Sequence, residues 1–342
     1  MTAAETIVVF APNWLGDAVM ALPATADLPR ARPEVRVVVY ARPSVAPLFS
    51  LVPWVSGVGS PFALRNADEN HEAFPPDLRP DPGSVSALLL PNSFRSALTA
   101  RRAGIRDLWG YRTDWRGPLL TRAIPRPAMP LHQAAYYQHL TAALGFPSGP
   151  AEPRLDLSAE LRAAGARLLE DAGWNARAPL VALAPGAAYG GAKRWPPEYF
   201  GALARQLADD GVATVMIGSR ADAATGRDVA AAAGSAPILD LIGRTDLPQL
   251  AGVLASCRAI ASNDSGAMHF AAAVGVPVVA IFGPTNEQAT SPLPNGPDAK
   301  QPRVLVEPVA CRPCMLRECP IDHRCLRGIA PSRVHAAVRE LL

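Results

Sequence analysis

Short apolar runs alternate along the chain with amphipathic stretches and glycine- or proline-bearing turns. Residues 6–11, 35–40, 87–90, 180–184, 259–262 and 278–282 are nearly continuous in Val, Ile, Leu, Ala and Phe, which predicts strands buried on both faces. Helical spacing follows several of them. It predicts a helix from Asp17 to about Ala26, one from Ser158 stopped by Gly173, one over 198–209 launched by Pro196 and Pro197, and others over 247–256, 269–274 and 332–342. The polar, proline-rich residues 66–83 read as irregular loop. Strand, turn, helix, strand in repetition is the pattern of a parallel α/β sheet.

The stretch 241–285 shows that pattern most fully. A strand over 259–262 runs into the polar turn Asn263, Asp264, Ser265, Gly266, then a small-residue helix, Gly275, Pro277 and the next buried strand. At a helix start, Ser265 and Gly266 can point backbone N–H groups, with the helix dipole behind them, at an anion such as phosphate. Asp264 repels bare phosphate but accepts hydrogen bonds from hydroxyls. The combination suits a sugar joined to a diphosphate, while spacing alone equally allows Asp264 and Ser265 to be simple helix caps.

A chain of 342 residues with 49% hydrophobic content fits two domains of roughly 150 to 170 residues, each with its own core. The stretch FPSGPAEP at 146–153 resists both helix and strand, so the boundary is expected near 150–157. That gives domains over 1–157 and 158–330, with a last helix over 331–342. No run approaches the roughly eighteen apolar residues of a membrane span, and the start lacks the basic and apolar segments of a signal peptide. The expected compartment is cytoplasmic.

Net charge is only +3, but residues 91–130 hold eight arginines against Asp107 and Asp114, a local balance of +6. Such a segment favours phosphorylated or acidic partners, an anionic lipid surface included, or is a solvated face. Nothing in it has the spacing of a nucleic-acid motif, so no nucleic-acid partner is expected. Lysine is confined to Lys193 and Lys300, which draws attention to Lys193 as a compact ammonium among arginines.

Three loops after predicted strands carry candidate chemistry. The first, Pro12, Asn13, Trp14, Leu15, Gly16, Asp17, lacks the G-x-G-x-x-G dinucleotide spacing. Asp17 either complements the dipole of the helix it opens or serves as a base toward an attacking hydroxyl. The second, Pro91, Asn92, Ser93, Phe94, Arg95, could line the same side of a cleft, and the alternating Tyr111, Arg112 and Trp115 suit sugar faces and phosphates or plain packing. The third, PGAAYGGAKRWP at 185–196, lets backbone approach a ligand and offers Lys193 to a diphosphate. Gly218, Ser219 and Arg220 follow another strand of that domain.

Four of the five cysteines fall in CRPCMLRECPIDHRC, with His323 among them. Cys311, Cys314, Cys319 and Cys325 are either structural thiols or ligands of zinc or partners in a disulfide. Their spacing is not that of a zinc ribbon or finger.

Taken together, APNWLGDAVMALPA, LPNSFRSAL, PGAAYGGAKRWP and SNDSGAMHFAAAVGVPVVAIFGPT resemble, in order and over almost the whole chain, the lipopolysaccharide heptosyltransferases of glycosyltransferase family 9, of the heptosyltransferase II type. The resemblance implies a GT-B α/β architecture, two Rossmann-like domains facing across a central cleft, acceptor side first and nucleotide-sugar side second. It implies an inverting transfer of heptose from ADP-heptose to the inner core of lipopolysaccharide. Asp17 would be the base, Lys193 would contact the donor's phosphates and Asp264 its heptose. Ser265 and Gly266 match the phosphate-binding turn, Thr245 the place beside adenine, and His269 a histidine that touches phosphate or packs. Ser219 would stand on the donor side, and Asn13, Asn92 and Arg95 on the acceptor side. The basic segment would face the anionic, phosphorylated acceptor, with the protein peripheral at the inner face of the plasma membrane, and the last helix would pack back across the domains.

Ala187 and Ala188 depart from the hydroxyl residues of some members, and only Asp222 is available near Ser219 and Arg220 to read a ribose. No D-x-D carboxylate pair is present, so no obligatory metal is expected. The alternatives are a GT-B enzyme for another cell-envelope glycan, or a nucleotide-sugar-binding protein without turnover.

Overall fold

Strands apolar on both faces require helices on both sides of a parallel sheet. The computed structural model, which describes residues 5–60 and 85–342, has this arrangement twice. The chain divides into two units, Met1–Pro153 and Arg154–Leu342, within the proline-rich stretch.

In the first unit, β1 (Thr6–Phe10), β2 (Arg36–Tyr40), β3 (Gly57–Gly59), β4 (Val85–Leu89), β5 (Asp107–Tyr111) and β6 (Arg122–Ile124) form a parallel sheet of order β3-β2-β1-β4-β5-β6. Val8 lies opposite Val38 on one side and Ala87 on the other, at the centre of the core. The helical run expected to about Ala26 is two helices, α1 (Leu15–Met20) and α2 (Leu22–Ala31). Pro23, in the first turn of α2, has no N–H to continue the first helix, so the second restarts there. Helices α3 (Phe94–Arg102) and α4 (Gln133–Ala143) complete the described part. Asp27, fully buried on α2, accepts hydrogen bonds from Gln138 of α4 at 3.0 Å and from the Gly149 N–H at 2.9 Å, which fixes the exit toward the second unit. The loop expected over 66–83 lies outside the described residues.

In the second unit, β7 (Leu180–Ala184), β8 (Ala213–Met216), β9 (Ile238–Asp240), β10 (Ala259–Asn263), β11 (Val278–Phe282) and β12 (Arg303–Val306) are ordered β12-β11-β10-β7-β8-β9. Read from the other end, this is the order of the first sheet. Each unit therefore has a switch point between its first and fourth strand, where ligands of open α/β sheets bind beyond the carboxyl ends. The helices are α5 (Ala159–Asp171), α6 (Pro197–Asp209), α7 (Ala223–Ala233), α8 (Leu247–Ala255), α9 (Gly266–Val274), α10 (Glu287–Thr290), α11 (Arg324–Arg327) and α12 (Pro331–Leu341).

The last helix, α12, packs on α6, β10 and β11 within the second unit. Its Val334, Ala337, Val338 and Leu341 form an apolar stripe that joins that core. The basic stretch 91–130, considered as one patch or solvated face, contains β5 and β6, and its arginines do not form one face. Arg95 opens α3, and Arg112 and Arg126 follow β5 and β6, all at the carboxyl edge. Arg101, Arg102 and Arg106 lie at the opposite end, where α3 returns the chain to the start of β5, and Arg122 stacks over the Trp109 ring at 5.1 Å.

Helices α5 and α8 meet through two glycines. A Cβ on Gly165 would stand 2.0 Å from the Gly252 carbonyl carbon, so the helices touch backbone to backbone. Gly165→Ala must push them apart, and a urea unfolding curve is expected to show a loss of about 1–3 kcal/mol.

Candidate active site

The carboxyl edge of the second sheet gathers most of the expected donor-side residues. The glycine-rich loop after β7 and the turn after β10 meet at the switch point, where Lys193 Nζ lies 2.6 Å from Asp264 Oδ2 with both side chains largely buried. The same oxygen accepts the Thr285 hydroxyl at 2.5 Å. Ser265 starts α9 in extended conformation, and its side chain does not cap the helix. The first turn of α9 thus keeps backbone donors beside a carboxylate already neutralised by an ammonium. Gly266 opens that helix, and His269 is buried on it.

Asn263, fully buried, holds the glycine-rich loop at both ends: its Oδ1 accepts the Trp195 N–H at 3.0 Å and its Nδ2 donates to the Pro185 carbonyl at 2.7 Å. Trp195 itself is fully buried, and its indole N–H donates to the Ile329 carbonyl at 2.9 Å.

Ser219 and Thr245 stand on the two neighbouring loops, after β8 and β9. These loops are joined by a hydrogen bond from the Gly243 N–H to the Gly218 carbonyl at 2.9 Å. The Ser219 hydroxyl is committed to Asp222 at 2.7 Å, in a reciprocal cap. Asp222 also packs against Gly186, where a Cβ would lie 2.4 Å from its carboxyl. The carboxylate considered for a ribose therefore ties the loop after β8 to the loop after β7. Thr245 is half-buried, one residue ahead of Asp246, which caps α8 together with Gln249.

The largest surprise is the cysteine-rich segment, whose thiols were expected to be structural or to hold zinc or a disulfide. It clasps the loops after β7 and β11 with its backbone and with the residues between the cysteines. The Ala192 N–H donates to the Arg317 carbonyl at 2.9 Å and the Gly191 N–H to Glu318 Oε1 at 3.0 Å. Tyr189 donates its hydroxyl to the Met315 carbonyl at 2.9 Å, and its ring lies 4.9 Å from Lys193 Nζ and 5.2 Å from the Arg317 guanidinium carbon. Arg312 donates to the carbonyls of Gly283 and Thr285 and to Glu287, at 2.9, 3.0 and 2.9 Å. One strap thus fixes both the loop that carries Lys193 and the loop that carries Thr285.

The cysteines are free thiols, Cys311 and Cys314 exposed, Cys319 half-buried, Cys325 buried. Among the described residues no group of three or more His, Cys, Asp or Glu side chains is placed to hold a metal ion.

The expected acceptor-side residues lie at the carboxyl edge of the first sheet. Asn13 is exposed after β1, and Asp17 sits half-buried in the first turn of α1. Burial, with the Asp17 charge adding to it, raises the Tyr137 phenol, which places Asp17 within electrostatic reach of α4. Asn92 donates to the Tyr136 hydroxyl at 2.9 Å, and Arg95 is exposed in the first turn of α3. Asn92, Arg126, Met129, Leu131, Gln133 and Tyr136 line a cavity of about 420 Å³.

This edge is organised by Arg116, whose guanidinium is fully buried. It donates to the carbonyls of Tyr111, at 2.9 Å, and Pro91, and reaches Ser96 Oγ at 3.2 Å and Asn92 Oδ1 at 3.4 Å. Burial lowers its pKa to about 10, so it remains charged at neutral pH. An arginine run does not reveal which member turns inward, so Arg116 had no signal in the sequence. Thr285, Asn263 and Arg312 are likewise visible only once the loops are placed.

A profile of glycosyltransferase family 9 (heptosyltransferase) matches residues 86–324. Lipopolysaccharide heptosyltransferase 2 of Salmonella typhimurium is 33% identical over 302 residues, covering 84% of this chain and 85% of the relative. Lipooligosaccharide heptosyltransferase 2 of Haemophilus ducreyi is 32% identical over 84% of this chain and 86% of the relative. The structure of Escherichia coli ADP-heptose LPS heptosyltransferase II superposes with a TM-score of 0.80 at 30% identity, covering 98% of each chain. The chain belongs to glycosyltransferase family 9. It has the GT-B fold of that family's heptosyltransferases and is a glycosyltransferase.

For this family 9 enzyme, the thiols supply a check on the geometry. Burial pushes the Cys257 thiol up to about 12, because thiolate cannot be hydrated there. A pKa raised in the folded state adds stability below the unfolded value, near 8.5, that is lost as pH climbs from there toward 12. Iodoacetamide is expected to alkylate the exposed Cys311 and Cys314 in the native enzyme at pH 8, with Cys257 labelled only after urea unfolding, as read by peptide mass mapping.

Proposed function

We propose that the chain is an inverting heptosyltransferase of the heptosyltransferase II type, moving heptose from ADP-heptose to the inner core of lipopolysaccharide. The observation that carries this reading is the Lys193–Asp264 pair beside the uncapped start of α9. An ammonium and helix N–H groups answer a diphosphate, and a carboxylate answers the hydroxyls of the attached sugar. On donor binding, Lys193 turns from Asp264 to the phosphates, while Asp264, still held by Thr285, accepts from the heptose. Ser265 and Gly266 present backbone N–H groups to phosphate, and Thr245 packs beside the adenine. Ser219 and His269 act by shaping their loop and helix.

The Asp17 carboxylate takes the proton of the acceptor hydroxyl as its oxygen attacks the anomeric carbon. The carbon–oxygen bond to the diphosphate breaks on the opposite face, which inverts the configuration. Charge developing on the leaving diphosphate is met by Lys193 and the α9 terminus, so the step needs no obligatory divalent ion. Asn13, Asn92 and Arg95 position the anionic acceptor. The enzyme works in the cytoplasm, peripheral at the inner face of the plasma membrane.

Titration calorimetry with ADP, UDP and GDP is expected to favour ADP, with Lys193→Ala weakening it about tenfold or more. Preference for UDP or GDP would discard the ADP-heptose donor. Asp17→Asn is expected to lower kcat for heptose transfer by about 10²- to 10⁴-fold with ADP affinity unchanged. Normal turnover in that variant would remove Asp17 as the base. Excess EDTA is expected to leave transfer intact.

A further inference from the structure

The ion pair at the carboxyl edge of the second sheet leaves a charge to be met. Lys193 and Asp264 lie 2.6 Å apart, and together they are neutral. A sugar nucleotide carries a negative charge on each of its two phosphates, and a further one develops as the sugar leaves. Against it stand a neutralised ammonium and the start of α9, whose dipole is equivalent to about half a charge. A second cation is needed within reach of the glycine-rich loop.

The strap places one there. Arg317 is tied to the loop by its backbone, since its carbonyl accepts the Ala192 N–H at 2.9 Å. It passes so close to Gly190 that a Cβ on that glycine would lie 3.0 Å from the Arg317 Cβ. Its side chain is exposed, and its guanidinium carbon stands 5.2 Å from the centroid of the Tyr189 ring. Lys193 Nζ stands 4.9 Å from the centroid of the same ring. One tyrosine thus collects two cations through the negative face of its π system. The ring is itself pinned, because the Tyr189 hydroxyl donates to the Met315 carbonyl of the strap at 2.9 Å.

No carboxylate answers Arg317. It makes no ion pair among the described residues, and the neighbouring Glu318 accepts the Gly191 N–H at 3.0 Å. Exposed arginines elsewhere are content with water. This one is held by its backbone against the loop that carries Lys193, and its planar fork can meet two phosphate oxygens at once.

We propose that Arg317 is a second cation for the donor's diphosphate. On donor binding the guanidinium swings from the Tyr189 ring to phosphate oxygens. As the bond between the anomeric carbon and the phosphate oxygen breaks, its electron pair stays on the diphosphate, and Arg317 takes part of that charge. The strap is then a part of the donor site as well as its clamp. The inference rests on the reading of the ligand as a nucleoside diphosphate and adds a residue to that site.

The test is titration calorimetry of ADP into wild type, Arg317→Lys and Arg317→Met. The side chain is exposed and its tie to the loop runs through the backbone, so both variants keep the fold. Lysine keeps the charge without the fork, while methionine keeps an apolar stem without the charge. Arg317→Met is expected to weaken ADP about fivefold at about 50 mM salt and by less at about 500 mM, with Arg317→Lys keeping most of the affinity. Its kcat for heptose transfer is expected to fall as well, with KM for the acceptor unchanged.

Equal ADP affinity in wild type and Arg317→Met overturns the inference. So does an equal loss in both variants, or a loss that salt leaves unchanged, since the arginine would then act through its packing on Tyr189. If the wild type prefers UDP or GDP, the ADP-heptose reading fails, and the same comparison with that nucleotide decides the role of Arg317. If ADP binds through Arg317 but no heptose is transferred, the transferase reading fails and the diphosphate cation stands. Failure of the wild type to bind any nucleoside diphosphate overturns both.

Discussion

The geometry at the carboxyl edge of the second sheet depends on a constraint imposed by its own sequence. A loop of glycine, alanine and proline lets a ligand approach its backbone, but it has few side chains with which to hold itself. Asn263 meets that need from the end of the neighbouring strand, giving one amide face to Trp195 and the other to Pro185. Each bond is worth about 1 kcal/mol net, yet losing either would strand a buried polar group at about 1–3 kcal/mol. Lys193 reaches Asp264 only because the loop ends are anchored in this way, and a largely buried ion pair is tolerated only where its geometry is fixed.

The parts of the fold readable from the sequence were those where burial is continuous. Val8, Val38 and Ala182 sit in central strands flanked on both sides, and every position there must be apolar. The unread strands are short, edge-placed or broken by polar and glycine positions. DLWGY of β5 begins with an aspartate bonded to Ser86 and Trp109, ILD of β9 has only one neighbour, and RAI of β6 is half-exposed. Such strands are specified by their partners rather than by their own pattern. The turn after β10 was legible because Asp264, Ser265 and Gly266 are local to one strand-to-helix junction. The strap over 312–318 was not, because its contacts run through backbone carbonyls that any sequence supplies, while its cysteines drew attention to metal chemistry.

The first unit gives a related lesson about charge. Eight arginines in a row of forty residues read as one basic face, but a parallel sheet reverses the chain between strands and sends successive arginines to opposite ends. One of them, Arg116, leaves the surface altogether and becomes the internal brace of the loops around Asn92. Linear charge density says little about a surface when the run crosses a strand and a helix.

Gly190 and Gly191 lie under the strap so closely that a Cβ would meet the Arg317 carbonyl oxygen at 2.3 Å and the Glu318 carboxylate at 2.6 Å. Two stretches 127 residues apart in the chain are therefore a single unit of inheritance. A glycine-rich loop grafted from a relative would not seat without its own strap, and a library that randomises one stretch alone would sample mostly collisions. Changes in the glycine-rich loop of this scaffold must therefore arise by paired steps, one on the loop and one on the strap.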